Sequence, residues 1–383
     1  MDAIWNAVSG PLMYGFAFFS VLMIVVFFHE LGHFLVARWC GVKVSAFSIG
    51  FGPEIGGFYD RHGTRWKLSW IPLGGYVKFM DDENAASMAS PEALSKMSAE
   101  ERAGAFHAKP LWQRAAVVAA GPIANFILAI VIFTFWFWSQ GVYTTEARVD
   151  DVLPDSPAAR AGIKPGDVVT AIEGQPITVF EQIQRNVSTN VGKTLTFEIN
   201  RGGQKLEIPV TPQVQEQVDE AGDKVRLVLI GVRRIPGQEG MTRYQPGFFE
   251  AIGIAGDRTW FVVTSTLGYF GDVVGGRQGA DQLGGPIRIA DVAGRVASQG
   301  WEYIIQLAAF LSVSVGLINL FPIPLLDGGH LMFYAIEAVR GRPLEERHQE
   351  IGFRIGMAVV LSLMIFATFN DLHILKRWLG GAV

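Results

Sequence analysis

Five residues near the amino end, His29-Glu30-Leu31-Gly32-His33, set two imidazoles four apart and place a carboxylate beside the first. On a helix, positions i and i+4 share a face, so both rings can reach one metal ion. Glu30 lies about one hundred degrees round the axis, where it can take a proton from a metal-bound water. This is hydrolytic chemistry, and it is incomplete. A catalytic zinc takes three protein ligands and keeps a fourth position for water or substrate.

The element that carries these residues is apolar. The stretch from Ala3 to Phe28 is uncharged, and its apolar character continues through His29–His33 to Ala37. Spanning about 30 Å of hydrocarbon takes roughly 17–25 residues of helix. Further uncharged runs are Ala115–Thr145 and Tyr303–Leu326, with a shorter one at Ile355–Asn370 that borrows a turn from Ile351–Arg354, Arg354 snorkelling. Composition agrees: of 383 residues, 50% are hydrophobic and 18% charged, against about 25% charged in a soluble domain. Ionisable residues at the end of a membrane span are expensive and functional by default. The net charge of -4 gives no reason to expect a nucleic-acid partner. The single cysteine, Cys40, excludes an internal disulfide and a Cys-based metal cluster. The amino end lacks the basic region of a signal peptide, so its apolar stretch is read as retained.

Loop charge orients the spans. Arg38–Arg114 is rich in Lys and Arg, whereas residues 1–12 contain neither. The positive-inside rule puts that loop in the cytoplasm and the amino end outside. The long segment after the second span is then outside, and Arg340, Arg342, Arg347 and Arg354 fall back in the cytoplasm. Lys376 and Arg377 lie outside, against the rule. Within the first loop, Val42–Phe51 and Arg65–Met80 are β-branched and aromatic and are broken by Gly50, Gly52, Gly56, Gly57, Gly74 and Gly75. They read as β-hairpins, apolar enough to dip into the membrane against helices or a wet cavity.

The missing ligand must reach the same depth from another span. Asp327 directly follows the third uncharged run, in Asn319-Leu320-Phe321-Pro322-Ile323-Pro324-Leu325-Leu326-Asp327-Gly328-Gly329. Alone, it also reads as a helix-ending Asp-Gly turn; beside His29–His33 it reads as the third ligand. Pro322 and Pro324 prevent a regular helix, leaving backbone groups and Asn319 free to bind an extended substrate. His330 has no spacing that makes it a ligand. His62, His107, His348 and His373 read as solvated. Asn125, a polar residue within the second run, either bonds between helices or lines the site cavity.

Glu146 to about Arg234 is charged, alternates in period two and carries turn signals, as a soluble β-rich domain does. In it, Ser156-Pro157 and the Gly162–Asp167 turn suggest helix, turn and strand. Gln238–Gly300 is Gly-rich and partly amphipathic, as helices at a membrane face are.

Taken in order, His29–His33, Gly50-Phe51-Gly52, Pro72–Val77, Lys109–Arg114, Gly121–Asn125, the β-rich segment and Asn319–Gly328 resemble the site-two proteases, most nearly the bacterial regulator-of-sigma-E proteases. The resemblance implies a polytopic α-helical membrane protein with four transmembrane helices, a membrane-associated β-hairpin region and one PDZ-like domain. It implies one catalytic Zn²⁺ on His29, His33 and Asp327, with Glu30 as the base. Asn319 and Pro322 match substrate-handling positions, and the Arg65–Met80 hairpin, with Gly74 and Gly75, is similar to a region that pairs with unwound substrate. The implied substrates are single-span membrane proteins already trimmed outside, such as anti-sigma factors or signal-peptide remnants. The implied location is the bacterial inner membrane, with the PDZ-like domain periplasmic.

The expected organisation is a first span (1–40), a cytoplasmic hairpin loop (41–110), a second span (111–145) and the PDZ-like domain (146–235). Outer amphipathic helices (236–300), a third span (301–328), a cytoplasmic loop (329–350), a fourth span (351–372) and a tail (373–383) follow. Enterobacterial relatives carry two tandem PDZ domains where this chain shows one. A membrane-tethered PDZ adaptor that binds exposed C-termini without cutting is the competing reading; it would make Glu30 dispensable. A transporter would show internal repeats of helix pattern, which this sequence lacks.

Overall fold

The computed structural model describes residues 2–82, 97–145, 147–177, 179–218, 224–234, 241–277, 279–280, 284–372 and 374. The chain forms two compact units, Met1–Phe133 with Leu283–Val383, and Thr134–Gln282. Among the described residues, four helices are long and apolar enough to cross a membrane: Met13–Trp39, Leu111–Gln140, Trp301–Asn319 and Arg347–Asn370.

The first unit opens with α1 (Asp2–Trp39). Two long strands follow, β1 (Val44–Tyr59) and β2 (Arg65–Phe79), rather than several hairpins. The first half of β1 lies between two stretches of β2: Phe47 faces both Val77 and Trp66, and Ile49 faces both Gly75 and Leu68. Gly50 and Gly52 take φ values of 86° and 84°, which a side chain disfavours. A Cβ on Gly50 would meet the carbonyl oxygens of Ser69 and Ile71 at 2.8 Å. The glycines expected to separate hairpins therefore bend one continuous sheet. An aromatic cluster joins that sheet to α1, with Phe47 stacked on Trp66 at 4.3 Å and Phe34 edge-on to Phe47 at 5.6 Å. A short helix, α2 (Ala99–Gly104), starts at a Ser98–Glu101 capping box. The helix α3 (Leu111–Gln140) follows, with Pro122 inside it.

The second unit holds the β-rich domain. After β3 (Val142–Thr145) and β4 (Asp151–Val152) comes α4 (Pro157–Ala161). The Ser156 hydroxyl accepts from the Ala159 N–H at 3.1 Å, and Gly162 closes the helix at φ 91°. Next come β5 (Val168–Ile172), β6 (Gln175–Pro176), α5 (Phe180–Ser188), β7 (Leu195–Arg201) and β8 (Gln204–Val210). They build a four-stranded sheet ordered β6-β5-β7-β8. Alternate residues of β7 point inward, so Leu195, Phe197 and Ile199 join Ile172, Ile183 and Val187 in one core. The strands β9 (Gln213–Val218) and β10 (Lys224–Leu229) pair, and β11 (Val232–Arg233) returns to β4. The last strand, β12 (Met241–Tyr244), pairs with β3, and α6 (Phe248–Val274) follows.

The chain then completes the first unit. The helices α7 (Pro286–Gln299) and α8 (Trp301–Asn319) pack on α1, with Val21, Val25 and Ala308 at the α8 contact. Thus 236–300, expected as one region, is divided between the units. The third uncharged run is helical only to Asn319, because Pro322 and Pro324 lack the N–H a helix needs. Residues 329–350, expected as the loop between the third and fourth spans, contain most of α9 (Asp327–Arg340). Asp327 opens that helix rather than ending the one before, a position where its charge suits the helix dipole. The last helix, α10 (Glu346–Asn370), starts before the expected 351. Just past its end, the buried Asp371 carboxylate accepts the N–H groups of Gly285 and Arg288 at 2.8 and 2.9 Å, tying this helix to the start of α7. The tail 373–383, with Lys376 and Arg377, lies outside the described residues apart from Ile374.

Candidate metal centre

The helical spacing that puts His29 and His33 on one face of α1 brings their Nε2 atoms to 3.2 Å. Asp327, almost three hundred residues later, reaches them from the first turn of α9. Its Oδ2 lies 3.1 Å from His29 Nε2 and 3.5 Å from His33 Nε2. A tetrahedral ion with ligand bonds of about 2.0–2.1 Å holds its ligand atoms about 3.3 Å apart. All three separations fall around that value. Oδ2 of Asp327 is buried without a hydrogen-bond partner, as an oxygen meant for a cation would be. Two imidazoles and one carboxylate therefore fit zinc.

The helix α3 aims both rings. His33 Nδ1 donates to the Val117 carbonyl at 2.8 Å, which leaves Nε2 as a lone pair for metal. His29 Nδ1 lies 3.2 Å from the Asn125 side-chain amide, whose Oδ1 is buried and unpartnered. Turning that amide over gives the oxygen its partner and lets Nδ1 donate, again freeing Nε2. Asn125 is fully buried behind His29. An interhelical bond, one of its two sequence readings, is therefore present, and it reaches a ring that lines the cavity. Ser312 of α8 donates to the Asn125 carbonyl at 2.9 Å, extending the bond to a third helix.

Close approach of α1 and α3 depends on small residues. A Cβ on Gly32 would strike the Ala120 backbone and come within 2.7 Å of the Ala124 Cβ. A Cβ on Gly121 would enter the site itself, against the His33 ring and 2.9 Å from His29 Cε1. The same helix reaches α9. Arg114 clasps Glu337 through two hydrogen bonds, of 2.6 and 3.2 Å, and lies over the Tyr334 ring at 5.0 Å. Arg114, Val117, Gly121 and Asn125 share one face of α3, so that face supports all three candidate ligands.

A cavity of about 290 Å³ opens at these groups, with Glu30, Gly75, Val77 and Asn319 on its wall. The Glu30 carboxylate meets the Val77 backbone N–H. Gly75 leaves room for it, since a Cβ there would lie 2.9 Å from Glu30 Cγ. Gly74 is set back from the wall: at φ 138° it lies against the Phe51 ring. Pro322 is exposed at the bend after α8. Leu325, which lines the cavity, holds φ 123°, a strained value for a branched residue.

One histidine differs from expectation, and another takes a place on the cavity wall. His107 is buried, not solvated, with Nδ1 2.8 Å from Asp81. Burial alone would raise the Asp81 carboxyl. Bonds from His107 and from the Phe106 and His107 N–H groups outweigh that and hold it below the usual carboxylate range. His330 lines the cavity beside Asp327. The spacing that reveals it is that of α9: Asp327, His330, Tyr334 and Glu337 recur at three and four residues, visible only once Asp327 is known to open a helix.

The sequence profile of peptidase family M50 matches residues 17–363. A protein of Agrobacterium fabrum, named as a candidate zinc metalloprotease, is 50% identical over 97% of this chain and 99% of its own length. Metalloprotease MmpA of Caulobacter vibrioides is 40% identical, covering 94% of this chain and 96% of its own length. A Vibrio cholerae protein, also named as a candidate zinc metalloprotease, is 32% identical over 97% of this chain and 99% of its own length. That alignment extends over 466 positions against the 383 residues here, so the relative carries insertions that this chain lacks. A PDZ domain from a Listeria innocua SdrC-like protein covers 23% of this chain and 91% of its own, with 26% identity and a TM-score of 0.19. The chain belongs to peptidase family M50, the site-two proteases, and is a zinc metalloprotease with membrane-spanning helices.

Proposed function

We propose that this metalloprotease cleaves single-span membrane proteins, anti-sigma factors or signal-peptide remnants, after a first cut on the outer side. The carrying observation is the meeting of His29, His33 and Asp327 around one point, with both histidines in a helix long enough to cross a bilayer. His29, His33 and Asp327 would hold one zinc, which supplies Lewis-acid polarisation and lowers the pKa of a bound water. Glu30 would act as the base that takes a proton from the attacking water and passes it to the leaving amine as the C–N bond breaks. A helix shields its own carbonyls, so the substrate must unwind. The Gly75–Val77 stretch of β2 lines the cavity and pairs with β1 on its other side. An extended substrate can add along its free side, with Asn319 on the wall and Pro322 shaping the bend. The β-rich domain is read as a PDZ domain on the periplasmic face of the inner membrane, screening trimmed substrates.

The test is Glu30→Gln in the full chain, assayed with a trimmed single-span substrate in detergent. Cleavage should disappear while zinc stays bound; undiminished cleavage would refute the reading. The adaptor alternative predicts that the outer domain alone retains the whole function.

A further inference from the structure

Three histidines face the same cavity, and they are not treated alike. His29 and His33 each give one ring nitrogen to α3 and turn the other toward the metal point. His330 has no side-chain hydrogen bond to any described residue; its ring packs on Phe353 at 5.4 Å and otherwise faces the cavity. A half-buried imidazole must carry a hydrogen on one nitrogen and a lone pair on the other. The His330 nitrogens are open to the cavity and not sealed in the core, so they are free to bond a group bound there. His330 sits one helical turn after Asp327, on the same face, and shares the cavity wall with Glu30.

We propose that His330 is a further catalytic residue, its imidazole N–H reserved for the backbone carbonyl oxygen of the substrate peptide bound in the cavity. The inference rests on the protease reading. In peptide hydrolysis that oxygen gains negative charge, so the bond strengthens as the reaction proceeds, and a fixed donor there lowers the barrier. The role differs from that of the other two rings: His330 holds the substrate, not the metal. It transfers no proton, so a side-chain amide can replace it in part.

The experiment compares His330→Ala and His330→Gln in the full chain, in detergent, with a trimmed single-span substrate. Zinc content is measured on each protein, and substrate capture is measured with Glu30→Gln in the same background. In His330→Ala, kcat should fall about 10²- to 10³-fold, with zinc unchanged and capture weakened only about three- to tenfold. His330→Gln should recover most of the loss. Zinc lost together with activity would overturn the proposal, showing a role at the metal. So would wild-type kcat in His330→Ala, or no recovery in His330→Gln. Failure of the protease reading looks different: wild type and Glu30→Gln would behave alike, while capture and zinc content would still report on His330.

Discussion

The β-rich domain and the α1–α3 contact are built on opposite rules. The domain is held by volume: Phe197, Ile199, Ile172 and Ile183 fill a core closed by strand alternation. Its buried Asp167 is answered within the domain by two 2.7 Å bonds from Arg201. The α1–α3 contact is held by the absence of volume. Gly32, Ala120, Gly121 and Ala124 let two backbones approach, and the space that Gly121 leaves open is taken by the rings of the two candidate ligands His29 and His33. In the first region a lost methyl group is the danger, and in the second an added one.

The sharpest way to break this contrast is Gly121→Val. It should lower zinc affinity at least about 100-fold, the upper range for disturbing ligand support, and abolish cleavage, as equilibrium dialysis and a cleavage assay would show. Next is Phe197→Ala, which should destabilise the β-rich domain by about 3–5 kcal/mol. Limited proteolysis would detect that loss, and zinc content should stay at the wild-type level. A smaller effect is expected at the clasp between α3 and α9. Arg114→Ala should weaken zinc binding about tenfold, and the exchanged pair Arg114→Glu with Glu337→Arg should restore part of it. If zinc binding ignores the clasp, α9 is held by other means.

The smallest effect concerns pH. Burial alone would raise the Asp167 carboxyl, but Arg201 and the Lys164 N–H hold it below the usual carboxylate range. A carboxylate depressed in the folded state stabilises fully above its unfolded pKa, about 4, and this contribution is lost as pH falls through the folded value. Thermal melts should therefore show the domain weakening below about pH 4, with a shallower acid limb in Asp167→Asn. An unchanged limb would mean that Arg201 contributes nothing measurable.

How much of this could be read from sequence follows the same contrast. His29, Glu30 and His33 were legible because helical spacing is local. The inward residues of β7 were legible because strand alternation is also local. Asp327 was reachable by an argument from depth, yet its local form was misleading. Asp-Gly-Gly reads as a stop, while in the fold it opens α9, and that reversal concealed the face carrying His330. His107 looked solvated because its partner, Asp81, lies 26 residues away. Gly50 and Gly52 carried a true signal of left-handed backbone. Only the pairing of distant strands decides whether such a glycine ends a strand or bends one.

Gly121 also bears on how relatives are judged active or inactive. A homologue could keep both histidines, the glutamate and the aspartate, and still lose its metal by gaining one methyl group at this position. It would carry every residue by which proteases of this kind are recognised and be a pseudoenzyme. The residue that separates the two cases takes no part in the chemistry and has no side chain to inspect.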